Sequence, residues 1–366
     1  MKNLNEIIEI ASRYNNKKRS YLLVNKIQAK HIPTKPDEAL ELFSELGIKI
    51  KQSYPDAHLT IGFAETATAI GVVVSAKLGG IYINTTREDY IPESDCICFK
   101  EEHSHAVNQK LCIRNIADYI KNISEIVLVD DEISTGKTLY NIIQAMRAEV
   151  PELAEIKFVV GSVINRLTPE RTAFFEQNNI FFVSLFSVHW TDEMLKRNFS
   201  KLYAPSITDE SEVIPDFSRI VFPDTRYFTN IFDYIVKCGN IAEQIAESVD
   251  FSAFENVLFI GTEECMFPSV CCAKLIAERY NINTFCHSTT RSPICINSAE
   301  DYPIKNGFQI ASFYDSARVN YIYNIHEYDA VVVISDAKNP YPKALAMLDA
   351  VLAKHGIEKR YYFMGE

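Results

Sequence analysis

The most informative stretch of this sequence for predicting its fold is Ile-Val-Leu-Val-Asp-Asp-Glu-Ile-Ser-Thr-Gly-Lys-Thr, residues 126–138. Its four leading apolar residues predict a buried β-strand, and Asp130 and Asp131 follow where that strand ends. A loop of small residues then leads into a helix that starts near Thr138. Backbone amides at a helix start, together with the positive end of the helix dipole, attract an anion. The stretch therefore predicts a phosphate site beside two carboxylates that suit a sugar diol or a metal ion.

Other strand-and-loop patterns explain this stretch less well. A Walker A loop needs a glycine five positions before Gly136, and Asp131 stands there instead. A phospho-receiver domain would need an aspartate near the end of the next predicted strand, and residues 157–166 contain none. An ordinary buried strand followed by a helix N-cap explains Ser134 and Thr135, but it does not explain two adjacent carboxylates.

The composition is that of an ordinary globular protein. The chain has 366 residues, 47% of them hydrophobic and 23% charged, which predicts two domains. Its net charge of −11 argues against a nucleic-acid partner, because such surfaces need clustered Lys and Arg. Residues 1–16 lack a signal-peptide core and no apolar run reaches the roughly twenty residues of a membrane span, so we expect a cytoplasmic protein with no membrane partner. The nine cysteines lack zinc-site spacing and are expected to be buried free thiols.

A second strand, loop and helix lie upstream, in residues 58–78. The amides of this loop would also face an anion at a helix start. A predicted strand over residues 81–84 comes next, and Arg87 lies just past its end, where ligands of open α/β sheets bind. We therefore expect Arg87 to clamp a phosphate. For the loop between the first of these strands and its helix, the alternative is a plain strand-to-helix turn, as in any α/β protein. The loop residues are Ala64, Glu65, Thr66, Ala67 and Thr68.

Two further groups of residues are candidates for a site. His103 and His105 lie in a polar, irregular segment over residues 88–108 and could donate to a leaving group or serve an incoming nucleophile. A solvated loop or a weak metal site explains them equally well. The second group could form a small cationic cluster near a substrate, and a solvated turn explains it equally well. Its members are Lys26, Lys30 and His31.

The second half of the chain repeats the plan of the first. A strand, a glycine, an acidic loop of small residues and a helix recur in residues 257–276. The spacing also agrees, since 44 positions separate Arg87 from Asp131 and 45 separate Arg291 from Asp336. We infer a tandem duplication of one α/β unit.

The predicted domains are residues 1–204 and 219–366, joined by a linker over residues 205–218 that is rich in Pro, Ser and acids. In the second copy a single carboxylate, Asp336, stands where the first has two, and Pro340 replaces the loop hydroxyls. The second domain is therefore expected to be a degenerate repeat that does not bind the same ligand in the same way.

Residues 126–138 closely resemble the phosphoribosyl-pyrophosphate (PRPP) signature of type I phosphoribosyltransferases: four apolar residues, two acids, two further positions and a small-residue loop. With the motifs below, most of the chain resembles orotate-phosphoribosyltransferase-like proteins that carry a C-terminal TRSP domain and occur in gene clusters linked to tellurium resistance and stress. The resemblance implies a type I phosphoribosyltransferase fold with a parallel, Rossmann-like sheet, followed by a related α/β domain. The other motifs are residues 25–33, 62–71, 101–106, 261–268 and 288–293.

The resemblance also implies a pentosyltransferase that uses PRPP and Mg²⁺ and releases pyrophosphate. Asp130 and Asp131 would hold the ribose hydroxyls, directly or through Mg²⁺, and would be catalytic with His103 and His105. The 5-phosphate would bind Ser134, Thr135, Gly136, Lys137 and Thr138. The pyrophosphate would bind Ala64, Glu65, Thr66, Ala67 and Thr68, with Arg87. The unidentified acceptor would lie near Lys26, Lys30, His31, Thr290, Arg291 and Ser292.

Several points stay open at the level of sequence. Purine-salvage members usually carry an aspartate at the position of Ser134, so the orotate-like branch is favoured over a 6-oxopurine acceptor. Glu132 stands where the family is often apolar, and the sequence assigns it no role. The rival function is a non-catalytic PRPP or nucleotide sensor or a scaffold, although no basic helix-turn-helix accompanies it. A homodimer or an intramolecular pseudo-dimer is expected from the repeat.

Overall fold

The computed structural model of the chain describes residues 3–16, 19–88, 91–92, 94, 96–100, 108–113, 115–208 and 213–366. The chain divides into two compact units that are interleaved in sequence. The signature unit comprises Glu41–Thr191 and Asp224–Ile235, and the C-terminal unit comprises Met1–Leu40, Asp192–Pro223 and Val236–Glu366.

Helices and strands alternate along most of the described chain, as a βαβ architecture requires. In chain order, the elements are α1 (Leu4–Ile7), β1 (Ile8–Ser12), β2 (Tyr21–Asn25), α2 (Pro36–Ser53), β3 (Leu59–Gly62), α3 (Thr68–Leu78), β4 (Ile81–Asn84), β5 (Ile97–Lys100), β6 (Asn108–Leu111), α4 (Ile116–Ile120), β7 (Glu125–Ile133), α5 (Lys137–Glu149), β8 (Lys157–Asn165), α6 (Pro169–Gln177), β9 (Ile180–Ser187), α7 (Asp192–Leu195), β10 (Ser206–Ile207), β11 (Ser218–Ile220), β12 (Thr229–Asn230), α8 (Ile231–Ser248), β13 (Asn256–Gly261), α9 (Phe267–Tyr280), β14 (Asn283–Ser288), β15 (Gly307–Ala311), β16 (Val319–Tyr323), β17 (Ala330–Ser335), α10 (Pro342–Lys354) and β18 (Lys359–Gly365).

The signature unit is built on a six-stranded sheet in the order β12-β4-β3-β7-β8-β9. Its strands run parallel except β12, which pairs with β4 in the antiparallel sense. The apolar residues 126–129 of β7 are all 0% exposed, because this strand lies between β3 and β8 in the sheet interior. The antiparallel hairpin β5–β6 follows β4.

The C-terminal unit is built on a five-stranded parallel sheet in the order β11-β18-β17-β13-β14. Its main core lies between β13, β17 and α10, where Leu258, Val331 and Leu348 are fully buried. The hairpin β15–β16, with β10 on its edge, forms a separate three-stranded sheet.

The two parallel sheets share one strand order. The series β4-β3-β7-β8 of the signature unit corresponds to β14-β13-β17-β18 of the C-terminal unit, and an antiparallel hairpin precedes β7 and β17 alike. The fifth position differs in origin, because β9 follows β8 in the chain whereas β11 precedes its whole sheet. The predicted α/β fold with parallel sheets is confirmed, and the shared order agrees with the spacing from which we infer a duplication.

The compact units do not follow the predicted boundaries at 204 and 219. Strands β1 and β2 form an antiparallel pair, which packs within the C-terminal unit against Ile294, Tyr302 and Tyr323. The Ser12 amide also donates to the Tyr302 hydroxyl at 2.9 Å. Within the predicted linker, β10 and the start of β11 join sheets of the same unit. Local composition marked these segments as separators, but strand pairing places them in a folded unit.

One expectation about the cysteines is wrong. Cys96 and Cys112 form a disulfide. Ile97, the first residue of β5, pairs with Leu111, the last residue of β6, so Cys96 just before β5 and Cys112 just after β6 lie face to face. The remaining cysteines have free thiols, and burial raises the pKa of Cys271 to about 11. Among the described residues, no helix has the length and apolar character that crossing a membrane requires.

Candidate functional site

Asp130 and Asp131 lie at the exposed end of a central strand. Strand β7 is longer than predicted and continues to Ile133, which pairs with Asn165 of β8. On its other side β7 pairs with β3 only as far as Val129. The two carboxylates therefore lie beyond the end of β3, at the carboxyl edge of the parallel sheet where ligands of such sheets bind. Both side chains are partly exposed.

The upstream loop contacts this acid pair. The Thr66 hydroxyl donates to Asp131 Oδ1 at 3.0 Å, and the Asp131 amide donates to Asp130 Oδ1 at 2.9 Å. The loop turns sharply after β3, where the Ala64–Glu65 peptide bond is cis, and α3 begins at Thr68. Two segments that the sequence predicted separately as anion sites thus meet at one edge of the sheet.

Two buried residues that the sequence did not single out hold the start of this loop. The Ala64 amide donates to the Thr85 hydroxyl at 2.8 Å, and that hydroxyl donates to Gln109 Oε1 at 2.7 Å. The Gln109 amide returns to the Ala64 carbonyl at 3.3 Å. These bonds fix the loop backbone where it leaves the sheet. Thr85 follows the strand end predicted at residue 84, but the sequence gives no signal for a partner on β6.

The electrostatics of the pair favour a cation or hydroxyl donors at Asp131. Burial, and then the charge of Glu132, raise the pKa of Asp131, while hydrogen bonds from Asp130 and Thr66 oppose the rise. Negative charge on Asp131 is therefore costly until a ligand offsets it. Among the described residues, no group of three or more His, Cys, Asp and Glu is arranged to hold a metal ion. Two carboxylates nevertheless fit Mg²⁺, which commonly takes one or two from the protein and further oxygens from substrate phosphates.

Glu132 is held in an ion pair, which gives it a structural role. Its Oε1 lies 2.9 Å from Arg166 Nη1, and the side chains of Glu132 and Arg166 are 12% and 4% exposed. Arg166 Nε also donates to the Trp190 carbonyl at 3.0 Å. The pair braces the end of β7 against the residue that follows β8. The sequence showed an acid in an unusual position but could not show its partner.

The small-residue loop passes directly into α5, which begins at Lys137. Gly136 is buried with φ +68°, and a Cβ there would lie 2.6 Å from Phe175 Cζ, so both backbone conformation and space require glycine. Arg171 Nη2 donates to the Thr135 carbonyl at 3.0 Å and thereby anchors the loop to α6. Thr135 and Lys137 are exposed, whereas Ser134 and Thr138 are partly exposed, so the loop is accessible to a ligand.

The other predicted donor-site residues are less informative. Arg87 is partly buried and lies three positions past the end of β4, directly after the bridge between Thr86 and Lys110. This places its backbone near the carboxyl edge of the sheet. His103 and His105 lie outside the described residues, so their catalytic role stays a prediction.

The residues predicted to contact an acceptor all belong to the C-terminal unit. Lys26 forms an ion pair with Glu9 at 3.0 Å. Lys30 is buried and its Nζ donates to the Thr289 carbonyl at 3.1 Å, so the structure brings it next to the Thr-Arg-Ser-Pro segment. His31 is also buried.

The Thr-Arg-Ser-Pro segment forms a tightly bonded corner. The Ser292 amide donates to the Thr290 hydroxyl at 3.2 Å, and the Ser292 carbonyl accepts from the Tyr323 hydroxyl at 2.8 Å. Arg291 Nη2 lies 2.9 Å from the carboxylate of Glu263, which the sequence did not single out. The role of these residues toward an acceptor stays a prediction.

Two family models match the chain. A model described as phosphoribosyl transferase matches residues 7–188, and a model for the TRSP domain C-terminal to that transferase matches residues 235–351. Among curated proteins, no sequence match was found.

Similar solved structures include APRTase from Giardia lamblia complexed with 9-deazaadenine, with 16% identity and a TM-score of 0.37 over 51% of this chain and 96% of that one. Adenine phosphoribosyltransferase from Leishmania donovani has 16% identity and a TM-score of 0.36 over 50% of this chain and 78% of that one. Orotate phosphoribosyltransferase from Aeropyrum pernix has 12% identity and a TM-score of 0.27 over 42% of this chain and 73% of that one.

Proposed function

This chain belongs to the family in which a phosphoribosyl transferase domain is followed by a TRSP domain, and we propose that it transfers ribosyl 5-phosphate from PRPP to an acceptor, with release of pyrophosphate. One observation supports this proposal above the others. The bond between Thr66 and Asp131 joins the loop after β3 to the acid pair on β7, directly before the loop that starts α5.

The order of these three features matches the order of groups in PRPP. The pyrophosphate and the 5-phosphate are attached at opposite ends of the ribose, so the sugar lies between two anionic groups. The acid pair likewise lies between two loops at helix starts, each able to hold an anion with backbone amides. We assign the pyrophosphate to residues 64–68, the ribose hydroxyls to Asp130 and Asp131, and the 5-phosphate to residues 134–138.

In the proposed mechanism, the bond between C1 of the ribose and pyrophosphate breaks through a transition state with ribosyl-cation character. The carboxylates of Asp130 and Asp131 accept hydrogen bonds from the 2- and 3-hydroxyls, and their negative charge stabilises the cation that develops on the ring. Arg87 is proposed to bind phosphate oxygens. Mg²⁺, when bound, would neutralise charge on the departing pyrophosphate. The acceptor then bonds to C1.

Ser134 is the residue that bears on the class of acceptor. Ser134 lacks the carboxylate that purine-salvage members usually present at this position, so a base of the orotate type is favoured over a 6-oxopurine. We also propose, on the family resemblance alone, that the product serves a stress response related to tellurium resistance. The rival function is a PRPP sensor or scaffold without turnover.

The proposal is tested with the double substitution Asp130→Asn and Asp131→Asn in the full chain. Pyrophosphate release from PRPP and Mg²⁺ in a metabolite extract should fall at least a hundredfold, because both ring-stabilising charges are lost. Asp118→Asn is the matched control, since Asp118 lies on the same unit with a side chain 68% exposed. Release at the wild-type rate from the double variant would refute the assignment. Calorimetric binding of PRPP without any release would favour the sensor.

A further inference from the structure

The register of the two parallel sheets relates positions in one unit to positions in the other. Gly62 of β3 pairs with Val129 of β7, and Gly261 of β13 pairs with Ile334 of β17. Asp131 lies two positions after Val129, and Asp336 lies two positions after Ile334. Asp336 therefore corresponds to Asp131 of the proposed donor site.

The loops that follow β3 and β13 correspond as well. In the signature unit the Ala64 amide donates to the Thr85 hydroxyl at 2.8 Å, and in the C-terminal unit the Glu263 amide donates to the Thr289 hydroxyl at 3.0 Å. Both threonines directly follow the strand that neighbours the loop. The same bond in the same place makes Glu263 the counterpart of Ala64, at the start of the loop proposed to hold pyrophosphate.

Glu263 places a carboxylate among donors that would suit an anion. The residue is 0% exposed, and its Oε2 accepts from Arg291 Nη2 at 2.9 Å and from Arg318 Nη1 at 3.0 Å. Its Oε1 accepts from the Ser312 hydroxyl. Two guanidinium groups and a hydroxyl around one buried anion form a donor set that proteins also use for phosphate oxygens.

A tyrosine hydroxyl contacts the acid at the same edge of the sheet. The Tyr314 hydroxyl donates to Asp336 Oδ1 and lies 2.7 Å from the Thr262 hydroxyl. In the signature unit the corresponding Asp131 accepts from the Thr66 hydroxyl at 3.0 Å, and we assign a sugar hydroxyl to its remaining acceptor positions. Tyr314 thus sets a phenol ring against this acid, where the signature unit has the smaller side chain of Thr66.

We propose that the C-terminal unit retains the anion-binding edge of a phosphoribosyl donor site but fills it with its own side chains. Glu263 takes the place of the pyrophosphate, and Tyr314 takes the place of a sugar hydroxyl. The correspondence with PRPP groups rests on the proposed function of the signature unit. The chain therefore binds one PRPP, and the arginine pair binds pyrophosphate once the Glu263 carboxylate is removed.

Calorimetry on the full chain tests this in two arms. In the first, the wild type should bind one PRPP, and Asp130→Asn with Asp131→Asn should bind none. Two sites in the wild type, one of which survives in the double variant, would overturn the closed second site while leaving the transferase assignment intact. No PRPP binding by the wild type would instead refute the proposed function, and the second arm would then decide alone.

In the second arm, sodium pyrophosphate is titrated into Glu263→Ala, which should bind one more pyrophosphate than the wild type. Glu263→Gln is the matched control, because it keeps the side-chain volume and should gain no site, and Glu263→Ala with Arg318→Gln should lose the gain. A folded Glu263→Ala variant that gains no site would overturn the proposal. If the Glu263→Ala variant is unfolded, its melting is measured in sodium pyrophosphate and in sodium chloride of equal ionic strength. A cooperative melting transition that returns only in pyrophosphate would support the proposal. No such recovery would oppose it.

Discussion

Replacing Arg166 by methionine should destabilise the signature unit, because it leaves Glu132 without the guanidinium that neutralises it. The two side chains are 4% and 12% exposed and lie 2.9 Å apart, so the remaining carboxylate cannot regain full hydration. Removing one partner of a buried ion pair costs about 3–5 kcal/mol. At about 2–4 °C for each kcal/mol, the melting temperature of this unit should fall by roughly 6–20 °C.

Differential scanning calorimetry of the full chain at neutral pH measures this loss. Lys121→Met is the matched control, since Lys121 pairs with Asp118 at 2.9 Å while both side chains are 68% exposed. Such surface pairs contribute about 0–1 kcal/mol. Adding Glu132→Gln to Arg166→Met should recover part of the stability, because the uncompensated charge disappears. An Arg166→Met variant as stable as the Lys121→Met control would refute the role assigned to this pair.

Three other perturbations follow from the geometry. Gly136→Ala should lower PRPP affinity about tenfold and reduce the free energy of unfolding by about 1–3 kcal/mol, because φ +68° and Phe175 exclude a Cβ. Titration calorimetry would measure the affinity, and denaturant unfolding would measure the stability. Thr66→Val removes a hydrogen bond that lowers the pKa of Asp131, so this pKa should rise and the acidic limb of PRPP binding should move to higher pH; an unmoved limb would contradict the role of Thr66. Burial lowers the pKa of His287 to about 3. The contribution of neutral His287 to the free energy of unfolding is therefore complete above about pH 6.5 and declines as the pH falls toward 3, by roughly 1.4 kcal/mol per pH unit. Urea unfolding of His287→Gln should lack this slope.

The sequence predicted those features that depend on neighbours in the chain. The apolar run at 126–129 specified a buried strand, and the structure buries all four residues, although β7 continues through the two acids to Ile133. Gly136 was predicted as a residue of the phosphate loop, and its positive φ was found in the structure. Equivalent landmarks at similar spacing also predicted a repeat, which stays an inference, and four strands of each parallel sheet have the same order.

Features that depend on distant partners could not be predicted. Arg166 is one of many basic residues in the sequence, and only the parallel pairing of β7 with β8 brings it to Glu132. Gln109 became part of the site through a hairpin that returns β6 to the loop after β3. The unit boundaries differ from the prediction for the same reason, since composition describes a segment but does not specify which sheet edge it joins.

The strand β12 has a consequence for dividing this protein into fragments. Thr229 and Asn230 pair with Tyr82 and Ile81, so a segment far along the chain covers the outer edge of β4. A fragment ending near residue 204 would leave that edge with unpaired amides and carbonyls, which is a template for intermolecular β-pairing and aggregation. The signature unit is thus not a removable module, and we expect its solubility to depend on residues beyond the predicted linker.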